Sequence, residues 1–190
     1  RRGEICGLRW SDIDFAKGTI SVNRTMEYIP PQGLIFTEPK TRASNRTFKV
    51  GSNCLDMLKE YQLYQRGLRL KTGTIWASVV QIENGKTVPN DLLFTRWDGS
   101  PLDLNKVTTW FPQFMQEHDL PAVTVHSLRH TYASLMIAAH VPIVTVAGRL
   151  GHAQTSTTTD IYAEFIKSAD AAASDAMDIV FDRIKQKTHA

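Results

Sequence analysis

The sequence predicts a mostly helical α+β fold with a small three-stranded antiparallel sheet near its start. Three observations carry that expectation. Alternation of period two, the mark of a half-buried strand, is confined to residues 18–50, where Ile20 and Val22 alternate with Ser21 and Asn23, and Phe48 and Val50 share a face. Helical spacing of apolar residues dominates from Thr108 onward. No repeat or low-complexity linker divides the chain, and 190 residues suit one domain with a sizeable core.

The elements follow in order. Glu4 to Trp10 is helix-compatible through Ile5 and Leu8, then yields to Ser11-Asp12-Ile13-Asp14. A strand from Gly18 precedes the turn Pro30-Pro31-Gln32-Gly33, a second strand at Leu34 to Thr37, and a third at Arg46 to Val50. These three are expected to form the sheet, with Lys40 in the turn between the last two. Ser52 is expected to cap a helix whose apolar side is Leu55, Leu58 and Tyr61. Thr72 to Asn90 carries the least signal and reads as a loop, and Leu92 to Leu102 reads as a short hairpin turning on Asp98-Gly99. Thr108 to His118 and His126 to Ala139 read as helices. Pro142 to Leu150 opens with proline in its first turn and stops at Gly151, the favoured asymmetry of helix ends. A threonine run from Thr157 leads through Asp160 into another helix. Ser174 to Ile184 forms a last amphipathic helix striped by Met177, Val180, Phe181 and Ile184.

Composition narrows the class. The 42% hydrophobic content suits a globular chain and argues against disorder. No run approaches the roughly 20 apolar residues of a membrane helix, and no signal peptide opens the chain. Cys6 and Cys54 are too few for a disulfide framework or a zinc site, and both are expected as buried thiols in a reducing cytoplasm. The chain starts at Arg1 with no lead-in, which reads as a fragment. A net charge of +3 is mild. Local distribution says more: Lys40, Arg42, Arg46 and Lys49 crowd one segment opposite only Glu38.

The chemistry-bearing residues lie mainly in the last third. In His126-Ser127-Leu128-Arg129-His130, spacings of three and four put two imidazoles and a guanidinium on one helix face. Such a group calls for an anion, and phosphate suits the planar fork of arginine. The alternative is a helix-capping His with Arg129 in a surface ion pair. His152 follows the helix stop at Gly151, where a histidine commonly serves as a dipole partner. Tyr162 lies early in the next helix, where most tyrosines pack the ring and wet the hydroxyl. Asp12 and Asp14 form a D-x-D pair without a third ligand and fit a helix-to-strand turn.

Taken together, these pieces resemble the tyrosine recombinase (phage integrase) family, whose catalytic set runs Arg, Lys, His-x-x-Arg, His or Trp, then Tyr. Arg1-Arg2-Gly3-Glu4, with Leu8-Arg9-Trp10-Ser11-Asp12-Ile13-Asp14, resembles the first-arginine box, with Arg1 three residues before the acid. Pro39-Lys40-Thr41, followed by Ser44 and Arg46, resembles the lysine turn. His126 to Thr131 resembles the second box, and Leu150-Gly151-His152 with Thr158 to Tyr162 the last.

The resemblance implies the catalytic fold of that family over residues 1–190, with DNA core-binding and arm-binding domains lying outside the chain. It implies site-specific recombination, integrating or excising a prophage or mobile element. Tyr162 would attack a DNA phosphodiester and form a 3′-phosphotyrosine; Arg1 and Arg129 would contact the non-bridging oxygens. Lys40 would protonate the leaving 5′ oxygen, His126 would exchange the tyrosine proton, and His152 would donate a hydrogen bond to the phosphate. Glu4 and His130 would orient their neighbours, and Arg42, Arg46 and Lys49 would grip the DNA backbone. No cofactor is implied, neither nucleotide nor metal. The partners implied are double-stranded attachment sites, further copies of the chain in a tetramer on DNA (a monomer for the fragment alone) and accessory factors, in the cytoplasm. The stripe at Met177 to Ile184 fits either a neighbouring protomer or its own core. A type IB topoisomerase shares the tyrosine chemistry. A non-catalytic helix-turn-helix module over Ile143 to Phe165 is the main rival, and it leaves Arg1 and Lys40 unexplained.

Overall fold

The computed structural model describes residues 1–38, 44–82 and 85–152, with 156, 158, 159 and 163, and the structural statements below concern these residues. Lys40, Arg42, Tyr162 and the expected helix at Ser174 to Ile184 lie outside them. The chain divides into two compact units, Arg1–Arg129 and His130–Ala190, each described by itself.

The first unit opens with α1 (Arg2–Gly7) and a 3-10 turn (Trp10–Asp12), followed by β1 (Ile13–Asp14), β2 (Thr19–Val22), β3 (Thr25–Ile29), β4 (Gly33–Thr37) and β5 (Arg46–Lys49). A three-stranded antiparallel sheet is present, but its order is β1-β2-β5, with Ile20 opposite both Ile13 and Phe48. The expected strand at Leu34 to Thr37 belongs instead to a separate hairpin with β3, in which Met26 faces Phe36. The cause lies at Asn23 and Arg24, which separate β2 from β3. The Arg24 guanidinium turns inward, donating from Nε to the Gly7 carbonyl at 2.6 Å and stacking 4.6 Å from the Phe36 ring. Once the chain is pinned there, the turn after Ile29 closes the nearer pair, and β2 takes β5 as its second neighbour.

Helix α2 (Ser52–Thr72) follows, with Gly51 rather than Ser52 at its N-cap and no side-chain capping bond. Leu55, Leu58 and Tyr61 pack inward as expected, onto Ile13, Ile20 and Leu93. Cys6 is buried, but Cys54 is exposed, contrary to expectation, because its neighbour Leu55 takes the inward position. The stretch read as a loop holds a short hairpin of β6 (Val79–Gln81) and β7 (Thr87–Pro89). Near Asp98-Gly99 the chain reverses, with an isolated bridge from Thr95 to Pro101. Helix α3 (Leu104–Glu117) then contributes Leu104 to a second cluster, with Cys6, Met26, Phe36, Val80 and Leu92. This cluster seats α1 against the β3–β4 hairpin.

Helix α4 (Val125–Ala138) begins in the first unit and continues into the second, where α5 (Ile143–Leu150) follows. The second unit has its own apolar centre of Ala133, Ile137, Val146 and Leu150. Gly151 ends α5 in the left-handed conformation (φ 64°, ψ 41°), as the sequence predicts.

Candidate active site

Glu4 is the centre of the first unit's polar cluster. Helix α1 presents it on the face turned toward β5, and its carboxylate is shared. Oε1 accepts from Arg1 Nη1 at 2.8 Å, and Oε2 accepts from Arg46 Nη2 at 2.7 Å. The Glu4 and Arg46 side chains are only 7% and 12% exposed, so this pair is not a solvated surface bridge. Ser44 ties the same groups together. Its hydroxyl accepts from Arg1 Nη1 at 3.2 Å, and its carbonyl accepts from Arg46 Nη1 at 3.0 Å.

Arg129 joins this cluster electrostatically. Burial, then the positive charges of Arg1 and Arg46, bring its guanidinium down to about 10, against the opposing pull of Glu4. Burial pushes the Glu4 carboxyl up. Hydrogen bonds from Arg46 and Arg1 outweigh that and hold it at about 2. Three guanidiniums against one carboxylate leave these four side chains at a net charge of +2. Such a cluster is suited to an anion with several oxygens.

The start of α4 is fixed locally. Thr124 Oγ1 accepts from the Ser127 N–H at 3.0 Å, while the Thr124 N–H donates to Ser127 Oγ at 2.7 Å. This reciprocal arrangement is a capping box in form, and it holds the first turn that carries His126 and Arg129. His126 is exposed, and Arg129, one turn on, is half-buried. Lys49, the last residue of β5, is exposed.

In the second unit His152 follows Gly151, and its backbone N–H closes α5 on the Ala147 carbonyl at 3.0 Å. Its ring Nδ1 lies 2.7 Å from Oγ1 of Thr158, a fully buried residue. That contact helps to orient the ring. His130 is exposed.

The structure therefore brings Arg1, Glu4, Arg46 and Arg129 together within one unit and sets His152 on a partner in the other. Ser44 and Thr158 stand within the motifs named above but were given no role of their own, and the Thr124–Ser127 pair was not singled out. The T-x-x-S spacing before an apolar run was a readable capping signal. The motifs mark the positions of Ser44 and Thr158, and the fold supplies the hydrogen bond that joins Ser44 to Arg1. Asp12 and Asp14, the D-x-D pair, have their own partners: Asp12 accepts from Arg9 and Asn23, and Asp14 from Lys17.

The chain matches the phage integrase family over residues 1–168. It is 31% identical over 189 residues to a tyrosine recombinase XerC-like protein of Caldanaerobacter subterraneus subsp. tengcongensis, covering 95% of this chain and 46% of that one. It is 24% identical over 178 residues to the ICEBs1 integrase of Bacillus subtilis, covering 94% and 45% respectively. Among solved structures, the Tn1549 transposon integrase in complex with transposon right end DNA superposes with a TM-score of 0.70 at 21% identity, covering 85% of this chain and 50% of that one. That likeness bears on the fold, which is the mixed helix-and-strand architecture of tyrosine recombinase catalytic domains. The chain spans about half the length of the relatives it matches. On its family match, its relatives and its fold, the chain belongs to the phage integrase family.

Proposed function

We propose that this chain is the catalytic part of a site-specific recombinase that cuts and rejoins double-stranded DNA through Tyr162. The observation that carries the reading is the cluster of Arg1, Arg46 and Arg129 around Glu4. A phosphodiester undergoing displacement spreads negative charge over its oxygens, and a preorganised excess of positive charge lowers that barrier.

In this reading the Tyr162 hydroxyl attacks phosphorus, and the bond from phosphorus to O5′ breaks. His126 takes the phenol proton, and Lys40 gives one to the departing O5′, leaving a free 5′ hydroxyl and a 3′-phosphotyrosine. Arg1 and Arg129 hold the non-bridging oxygens. His152, its ring held by Thr158, donates to one of them. Rejoining runs in reverse: an incoming 5′ hydroxyl displaces the phenol, which recovers its proton from His126. The phosphotyrosine keeps the energy of the original bond, so strand exchange needs neither nucleotide nor metal. Glu4 and His130 orient their neighbours, and Arg42 and Lys49 neutralise backbone phosphates. The substrate is a pair of attachment sites, bridged by a tetramer of the whole protein with accessory factors. The reaction is integration or excision of a prophage or mobile element on the nucleoid of a bacterial cytoplasm. Several relatives are named integrases, which supports this choice of reaction.

The test uses the full-length protein, a nicked suicide DNA carrying the attachment site, and no metal. A covalent protein–DNA adduct that survives detergent is expected, and Tyr162→Phe abolishes it. An adduct that persists in Tyr162→Phe removes Tyr162 as nucleophile. DNA binding with no adduct at all identifies a non-catalytic helix-turn-helix module instead.

A further inference from the structure

Arg46 was expected to grip the DNA backbone, but its guanidinium is spoken for inside the protein. One Nη reaches Glu4 Oε2 at 2.7 Å and the other reaches the Ser44 carbonyl at 3.0 Å. Its side chain is 12% exposed. Glu4 in turn holds Arg1, which also bonds the Ser44 hydroxyl. We propose that Arg46 is a positioning residue for phosphoryl transfer, acting through Glu4 and Ser44 to aim Arg1 at the phosphate, and not a contact to the DNA backbone. The inference rests on the recombinase reading above.

The geometry explains why arginine is needed. A planar fork spans a carboxylate and a carbonyl at once, whereas an ammonium delivers its charge as a point. With the fork in place, the Glu4 carboxylate has one oxygen for each of two guanidiniums. Without it Glu4 is free to rotate toward Arg1 alone, neutralising the charge that the phosphate requires and swinging Arg1 off its line.

The Arg46→Lys variant of the full-length protein separates the possibilities, because it keeps the charge and removes the fork. Cleavage is read at saturating DNA on two suicide substrates. One carries an ordinary phosphodiester; the other carries a neutral methylphosphonate at the cut site, which asks less of Arg1. The expected result is a loss on the order of 10²-fold on the phosphodiester, the scale of a misplaced catalytic group. On the methylphosphonate the loss shrinks to a few-fold, and DNA affinity and its salt slope stay as in the parent. Combining Arg46→Lys with Glu4→Gln adds no further loss, since both act along one route.

Three outcomes overturn the proposal. The first is full cleavage by Arg46→Lys at saturating DNA. The second is an equal loss on both substrates, which marks a purely structural residue. The third is a salt slope lower by about one in Arg46→Ala with cleavage intact once DNA is bound, which marks a backbone contact. Absence of a Tyr162-dependent adduct in the unsubstituted protein brings down the recombinase reading itself, and that control is run first.

Discussion

Glu4 shows how a single carboxylate can hold two guanidiniums together. Its side chain is 7% exposed and shared by two guanidiniums, so its charge holds the cluster together. Folding lowers its pKa from 4.5 to about 2. The stabilisation this brings is fully present above the unfolded value and is lost as the pH falls toward 2. A depression of that size corresponds to about 3–4 kcal/mol at most. Glu4→Gln is therefore expected to be less stable than the parent at pH 7, with the gap closing between about pH 4.5 and 2. Urea unfolding of both proteins at several pH values checks this. A gap of the same size at pH 2 would show that the carboxylate charge does not hold the cluster. Arg129 carries the opposite sign of strain: burial and two like charges bring it to about 10, a cost that a bound phosphate would relieve.

At the scale of elements, the site depends on how closely α1 lies on β3. A Cβ at Gly3 would sit 2.6 Å from the Met26 carbonyl oxygen and closer still to the Thr25 hydroxyl, so α1 has no room to carry a side chain there. Gly3→Ala is expected to push α1 away, costing about 1–3 kcal/mol. Because α1 carries Glu4 and follows Arg1, cleavage should fall by roughly 10²-fold. Gly67→Ala in α2, where an added Cβ meets nothing within 4 Å, serves as the control. It is expected to stabilise by roughly 0.5–1 kcal/mol. Thermal unfolding with cleavage at saturating DNA tests the pair, and equal behaviour of the two variants would refute the lever. The helices α2, α3, α4 and α5 were readable from their apolar spacing and their stops or caps, whereas α1 ends at Gly7, short of the expected Trp10, and Ile5, on which its reading rested, is 44% exposed. Strand β3 was not, since Met26 alone is buried while Tyr28 is 65% exposed, and alternation never becomes visible. The three-residue strands of β6 and β7 are too short for any period to register. Arg46 shows the same limit for the site. Its residue type and motif were legible, but its partner Glu4 lies 42 positions away and is found only through the fold.

Across the whole molecule, a net charge of +3 on 190 residues is too thinly spread to hold a polyanion by bulk attraction. The excess that matters is the +2 concentrated on Arg1, Glu4, Arg46 and Arg129 in the first unit. An anion bound there stabilises the native chain alone, because unfolding scatters the three guanidiniums. At a concentration ten times its dissociation constant it adds about 1.4 kcal/mol. For a chain of this size that raises the melting temperature by about 3–5 °C. Pyrophosphate, with many oxygens and high charge, is the expected stabiliser, and chloride at equal ionic strength is not. Arg129→Gln should abolish the pyrophosphate shift, while Lys59→Gln on α2, whose ammonium lies 2.9 Å from Asp56, should leave it intact. Differential scanning calorimetry over a pyrophosphate series decides the matter. A shift that follows ionic strength alone, or that survives in Arg129→Gln, means the arginine cluster does not act as an anion site.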